Sequence, residues 1–287
     1  MTTLTGKTVL LTGASRGLGV YIARALAKEQ ATVVCVSRSR SGLAQTCNAV
    51  EAAGGNAIAI PFDVSNISQL SGLAQQAQDI VGPIDVLINN AGIEINSAFA
   101  NYSLAEIQSI FNTNLLAAME LTRFLLPNMM ERGSGRIVNI ASLAGKKGVA
   151  FNSVYSASKA GLIMWTDALR QELVGTGVQA AVVCPGYISQ TGMTVDTRVA
   201  APKLAGISTP QSVANAIVRA IKYNTAEVIV NENPIMESLT RLMLSLGQLA
   251  PTSVDTIYRW LGVVKFNQKR AENRAKESCV AVGSHQA

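Results

Sequence analysis

Histidine is almost absent: the 287 residues contain one, His285, close to the last residue. Ser-His-Asp triads, Cys-His pairs and zinc sites built on imidazole need a histidine inside the fold, so acid-base chemistry must use another side chain. The four cysteines, Cys35, Cys47, Cys184 and Cys279, show no CxxC or other metal-ligand spacing. No metal site is therefore expected, and a reducing, cytoplasmic interior is the default compartment. Charged residues are only 15% and aromatics 5%, against 48% hydrophobic residues, which excludes a disordered or fibrous chain and supplies a sizeable core. No apolar run approaches the roughly 18 uncharged residues of a spanning helix. The most apolar late region, 234–264, is broken by Glu237, Arg241, Asp255 and Arg259. The N-terminus lacks the basic patch and apolar core of a secretory leader.

The net charge is +6, and about half of that excess sits in one segment, where Lys265, Lys269, Arg270, Arg274 and Lys276 face only Glu272 and Glu277. A cluster of this kind reads as a solvated, mobile end covering 265–287. No aromatic-interleaved basic patch occurs elsewhere, so nucleic acid is not an expected partner.

Short Val/Ile/Leu-rich strands are predicted near 7–12, 31–36, 57–61, 85–88, 136–141, 178–184 and 226–231. They alternate with helices near 17–29, 42–53, 66–80, 103–131 (with a break at Pro127), 153–174 and 210–223. The first six strands are nearly continuous apolar stretches without in-out alternation, as in parallel strands covered on both faces. The expected fold is α/β: a doubly wound parallel sheet (Rossmann fold) of about seven strands, with helices on both faces and a C-terminal helical extension. One domain is expected over 1–231, with ligands beyond the carboxyl ends of the strands. Over 232–264 two apolar stripes predict amphipathic helices: Ile235, Met236, Leu239, Leu242, Met243, Leu246 and Leu249, then Val254, Ile257, Tyr258, Leu261 and Val264.

Three constellations carry chemistry. Thr12-Gly13-Ala14-Ser15-Arg16-Gly17-Leu18-Gly19 directly follows the first strand and opens a helix. Glycines there allow a tight turn and close backbone approach to a pyrophosphate, which the helix N-terminus favours. A free 2′-hydroxyl would want an acid at the end of the second strand, but the sequence reads Ser37-Arg38-Ser39-Arg40, with no Asp or Glu between Glu29 and Glu51. Arg38, with Arg16, can fork onto a 2′-phosphate, which predicts NADP(H) over NAD. Finally, Tyr155 and Lys159 stand four apart on a helix, so the ammonium can stabilise the phenolate and lower its pKa. Ser142 follows the fifth strand and can hold a substrate oxygen beside Tyr155.

Over roughly residues 5–231 the sequence resembles the short-chain dehydrogenase/reductase family. Thr12–Gly19 is similar to its TGxxxGxG turn, Asp63-Val64 to its adenine-side dipeptide, Asn89-Asn90-Ala91-Gly92 to its NNAG strand end and Pro185-Gly186 to its post-strand turn. The resemblance implies a catalytic set of Asn114, Ser142, Tyr155 and Lys159: Ser142 orients the carbonyl, Tyr155 transfers the proton, Lys159 holds the nicotinamide ribose and Asn114 helps position a water. It implies a cofactor site of Gly13, Ser15, Arg16, Gly17, Leu18, Gly19, Ser37, Arg38, Asp63, Val64, Asn90, Ala91, Gly92, Tyr155, Lys159, Pro185, Gly186, Ile188 and Thr191. Asp63 would accept from the adenine amine and Ile188 would donate to the carboxamide. A homo-oligomer is implied, with helices 103–131 and 153–174 paired across a twofold axis.

One departure bears on the substrate. Members that reduce carrier-bound 3-oxoacyl chains often end the last strand on a Val-Asp-Gly-Gly-like sequence, whereas here Val228-Ile229-Val230 runs into Asn231-Glu232-Asn233-Pro234. That ending looks similar to members acting on lipophilic carbonyls. The expectation is NADPH-dependent, reversible reduction of a lipophilic ketone or aldehyde to an alcohol. The alternatives are a 3-oxoacyl-thioester reductase and a catalytically idle NADP-binding sensor. The C-terminal helices can pack on the core or a neighbouring subunit, cover the substrate mouth, or rest on an anionic membrane surface.

Overall fold

The computed structural model describes residues 2–202, 206–231 and 234–283, so His285, Glu232 and Asn233 lie outside the described residues. The chain runs β1 (Thr8–Thr12), α1 (Leu18–Lys28), β2 (Thr32–Ser37), α2 (Arg40–Glu51), β3 (Asn56–Pro61), α3 (Leu70–Val81), β4 (Val86–Asn89) and α4 (Leu104–Phe111). It continues with α5 (Ala117–Glu131), β5 (Gly135–Ile140), α6 (Ser153–Glu172), β6 (Val178–Pro185), β7 (Tyr187–Ile188), α7 (Met193–Asp196), β8 (Ile207–Ser208), α8 (Pro210–Tyr223) and β9 (Glu227–Val230). Three helices follow: α9 (Pro234–Leu249), α10 (Pro251–Trp260) and α11 (Val263–Gly283).

Seven strands form one parallel sheet in the order β3-β2-β1-β4-β5-β6-β9. The β-branched and aliphatic residues of β1 and β4 are buried throughout, because helices cover both faces. One face packs Val9, Leu11, Val33 and Ile88 against α1 and α8; the other packs Leu10, Val34, Leu87 and Ile137 against α3 and α5. Strand order reverses between β1 and β4, and the crevice at that switch point is where such sheets bind ligands. Local signals fix the helix starts. Ser39 caps α2, Ser103 and Glu106 form a reciprocal capping box on α4, and Thr209 caps α8 ahead of Pro210.

Several expectations are corrected. The long helix predicted over 103–131 is interrupted, but not at Pro127, which lies inside α5. The break is a π-helical turn, Asn112–Leu116, formed where the Asn114 side chain bonds a neighbouring loop. The segment predicted as a mobile basic end is the helix α11 as far as it is described, and Phe266, Asn267 and Arg270 are buried in it. Two of its charges are partnered: Arg270 pairs with Glu94 and Arg274 with Glu106. The first C-terminal stripe is split between the cavity, which Met243 lines, and the surface. Ile235, Leu239, Leu242, Leu246 and Leu249 are exposed, while neighbouring residues of α9 turn inward. No helix among the described residues is long and apolar enough to cross a membrane.

Candidate active site

The glycine turn is tied to the end of β4 by side chains on both sides. Thr12 Oγ1 accepts from the backbone N–H groups of Asn90 and Ala91 at 3.1 and 3.0 Å. The Asn90 amide donates back to the Thr12 and Gly13 carbonyls at 3.0 and 3.2 Å. The chains approach so closely that a Cβ on Gly13 would lie 2.8 Å from Ala91 Cα, and one on Gly19 would lie 2.2 Å from the Gly13 carbonyl oxygen. Glycine is required there by contact with rigid backbone, not only by dihedral freedom. Gly17 caps α1 without a side-chain hydrogen bond, and the first turn holds no acid, so its N–H groups are left to an anion.

Across the strand ends, Asp63 Oδ1 accepts from Ser65 N at 3.0 Å and Ser65 Oγ at 2.8 Å, a turn-forming pattern, while its other oxygen lies 3.8 Å from Arg38. The Ser37 hydroxyl is buried beside Arg38 without a hydrogen-bond partner. Arg16 pairs with Asp196 of α7, closing the turn against the loop that follows β7. Asn89 turns away from the cavity and donates to Asn139 Oδ1 at 2.8 Å; Asn139 in turn donates to Thr166 Oγ1, also at 2.8 Å.

The second cluster stands where β5 ends and α6 begins. Helical spacing puts Tyr155 and Lys159 on the same side, with the Lys159 ammonium 5.8 Å from the Tyr155 ring centroid. Lys159 is buried and donates to the Ile140 carbonyl at 2.8 Å, which fixes it at the carboxyl end of β5. Burial pushes its pKa down to about 8. The phenol of Tyr155 is pushed up, first by burial and then by the Glu94 carboxylate, while the Ser142 hydroxyl and Arg270 pull it down. Burial outweighs the downward pulls, so the phenol lies above its ordinary value.

Asn114 stands behind this cluster, buried and outside the cavity lining. Its Oδ1 accepts from Ile93 N at 2.8 Å, and its Nδ2 donates to the Ile93 carbonyl at 2.9 Å and to Ser158 Oγ at 3.0 Å. Both amide hydrogens are engaged, so only the second lone pair of Oδ1 is left for the expected water. Asn114→Ala strips the Ile93 N–H and C=O of their partner. We expect a stability loss of about 2–4 kcal/mol by denaturant titration, and an unchanged midpoint would show that the π-turn holds the loop without the amide.

All the remaining expected residues, from Gly13 to Thr191, line one cavity of about 450 Å³ that joins the glycine turn to Ser142, Tyr155 and Lys159. Its far wall is formed by Thr240, Met243 and Leu244 of α9, Tyr258 of α10, and Leu261 and Val263 beyond it. Apolar periodicity marked Met243, Tyr258 and Leu261 as buried faces, but nothing in the pattern said against what. Glu94 and its partner Arg270 were missed entirely, because they lie far apart in sequence and neither belongs to a motif.

The profile described as short chain dehydrogenase matches residues 7–201. The ketoacyl reductase HetN of Nostoc sp. (strain PCC 7120) is 87% identical over 285 residues, 99% of each chain. Two solved structures superpose well. A point variant of actinorhodin polyketide ketoreductase with NADPH has a TM-score of 0.74 at 33% identity, covering 80% of this chain and 98% of that one. A metagenomic short-chain oxidoreductase in complex with NADP has a TM-score of 0.70 at 31% identity, with the same coverage of 80% and 98%. With the doubly wound sheet, the glycine turn and the Ser142, Tyr155 and Lys159 cluster in place, the chain belongs to the short-chain dehydrogenase family of oxidoreductases.

Proposed function

We propose that the chain binds NADPH and reduces a ketone or aldehyde on an apolar chain to the alcohol, reversibly, with Tyr155 as proton donor. The observation that carries this reading is the single cavity that runs from the glycine turn past Tyr155 to a mouth lined by Met243, Leu244 and Leu261. The residues present suit the cofactor: backbone meets backbone at Gly13 and Gly19, the first turn of α1 is free of acids, and the Ser37 hydroxyl is buried without a partner next to Arg38. Bound there, the cofactor supplies the hydride. Tyr155 gives its phenolic proton to the carbonyl oxygen, Ser142 holds that oxygen, and Lys159 holds the ribose and the charge balance of the phenol.

The likeness to the Nostoc ketoacyl reductase and to the polyketide ketoreductase supports a 3-oxoacyl chain as the form in which the ketone arrives. The test is NADPH oxidation over 3-oxoacyl thioesters of increasing length, beside long-chain aldehydes and aromatic ketones. Each methylene buried in the mouth is worth about 0.8 kcal/mol, so kcat/KM should rise about fourfold per added carbon until the mouth is filled. A flat series would remove the lipophilic substrate, and no oxidation with any compound would favour an NADP-binding sensor. A homo-oligomer is part of the same proposal, supported by the exposed Leu104, Leu116 and Met164 on or between the helices expected to pair.

A further inference from the structure

The wall of the catalytic cavity holds an ion pair for which this proton-transfer scheme gives no reason. Glu94, two residues after the Asn89–Gly92 strand end, lines the cavity with Tyr155. Its carboxylate accepts from both terminal nitrogens of Arg270, at 2.9 and 2.7 Å, and from the Asn152 amide. The Arg270 side chain is 1% exposed and that of Glu94 10%. The guanidinium also donates to Thr197 Oγ1, Asn267 Oδ1 and the Met193 carbonyl, each at 3.2 Å. Removing two ions from water costs several kcal/mol apiece, and apolar residues of similar volume would fasten α11 equally well. Holding the helix down therefore does not account for the pair.

Its position does. On the loop after β4, Glu94 lines the same cavity as Tyr155 and Lys159, and its carboxylate pushes the pKa of both up. The other groups facing that pair are Ser142 after β5, Cys184 of β6, Tyr187 of β7 and Arg270 of α11. Tyr258 of α10 reaches only as far as Tyr187, which Asn267 also bonds at 3.2 Å. Cys184 is pushed up to about 12 and Tyr187 likewise to about 12, both by burial, so neither carries charge near neutrality. Among the described residues Glu94 is then the one anion bearing on Tyr155 and Lys159, and Arg270 the one fixed cation bearing on Tyr155.

We infer that Arg270 is a positioning residue for proton transfer: from α11 it clamps the Glu94 carboxylate into the cavity wall and offsets part of the negative charge that Glu94 places beside Tyr155 and Lys159. This rests on the reading of Tyr155 as donor. The electrostatic directions agree with it, since Glu94 pushes both Tyr155 and Lys159 up and Arg270 pulls Tyr155 down. Because an anion raises both groups, the sign of the effect does not depend on which of the coupled pair a titration reports.

The test uses Glu94→Gln, Arg270→Met, the double variant and Arg270→Lys. Two quantities are followed against pH: kcat for the panel compound that turns over, and, in the protein without cofactor or substrate, competitive acetylation of Lys159 read by mass spectrometry. Glu94→Gln should move both midpoints down by about one pH unit, Arg270→Met should move them up by a similar amount, and the double variant should return near the parent. Arg270→Lys should stay close to the parent. If Arg270→Met fails to fold, Glu94→Gln alone decides the direction. Unmoved acetylation midpoints, with only melting temperatures lowered, would make the pair a structural latch and overturn the inference. Tyr155→Phe retaining turnover would instead overturn the donor reading, and the two failures are separable because the acetylation needs no turnover.

Discussion

Tyr155→Phe is expected to lower kcat for carbonyl reduction by about 10³-fold while leaving the NADPH dissociation constant within about twofold. Positioned general acids contribute roughly 10²–10⁴-fold, and the two other polar side chains at the end of β5 are already engaged. Lys159 is fixed on the Ile140 carbonyl, and Ser142 Oγ accepts from Ala144 N at 3.1 Å. Phenylalanine keeps the ring that packs beside Lys159 and removes only the hydroxyl, so folding and nucleotide binding are preserved. The sign with pH follows from the environment. Burial and Glu94 hold the phenol above its ordinary value, so reduction has its donor protonated through neutrality and loses rate only at alkaline pH. Oxidation needs the phenolate and should climb with pH over the same range. Single-turnover kinetics and fluorescence binding of NADPH check both halves of the expectation. A variant within tenfold of the parent would take the proton-donor role away from Tyr155.

What could be read in the sequence divides along physical lines. The seven sheet strands were legible because buried parallel strands are runs of Val, Ile and Leu with no compensating pattern, as in Thr32–Ser37 and Val178–Pro185. The residues around the cofactor end of the cavity were legible because a backbone forced close to an anion admits only glycine, and a helix carries Tyr155 and Lys159 on one side by spacing alone. The π-turn at Asn112–Leu116 was not legible. It depends on Asn114 reaching the backbone of Ile93, a contact between segments 21 residues apart that no local periodicity encodes. The two-residue strands β7 and β8 are too short to show a period.

The C-terminal region was misread for a related reason. Lys and Arg clustered over 265–276 look like a solvated end, and solvation is the common fate of such a cluster. Here Arg270 instead meets Glu94, 176 residues earlier, and the charge that suggested a solvated end is buried against the cavity wall. Likewise the stripe on α9 pointed to a packed face, yet Met243 and Leu244 enter the cavity and Leu239, Leu242 and Leu246 face outward. Periodicity finds an apolar face but does not say which side the rest of the molecule lies on.

Arg38→Ala is expected to raise KM for NADPH by about 10–100-fold and to leave KM for NADH nearly unchanged. A guanidinium on a phosphate makes charge-assisted hydrogen bonds worth about 1.5–3 kcal/mol each, and 1.4 kcal/mol is a factor of ten. In the present structure Arg38 is well exposed and only 3.8 Å from Asp63, an arrangement worth less than about 1 kcal/mol and readily given up to a stronger anion. Its neighbours favour the same assignment: the Ser37 hydroxyl is buried without a partner at the end of β2, and no carboxylate between Glu29 and Glu51 competes for a ribose hydroxyl. Arg16 is the other candidate, but its guanidinium is engaged with Asp196 across the cavity. Arg16→Ala should therefore loosen the loop over both cofactors and weaken NADH and NADPH alike, by less than tenfold. Steady-state kinetics with the two cofactors separates the roles: a loss confined to NADPH in Arg38→Ala puts the 2′-phosphate on that side chain. Equal losses with both cofactors would mean that Arg38 shapes the end of β2 without reading the phosphate, and the preference for NADPH would then have to come from Arg16 or Arg40.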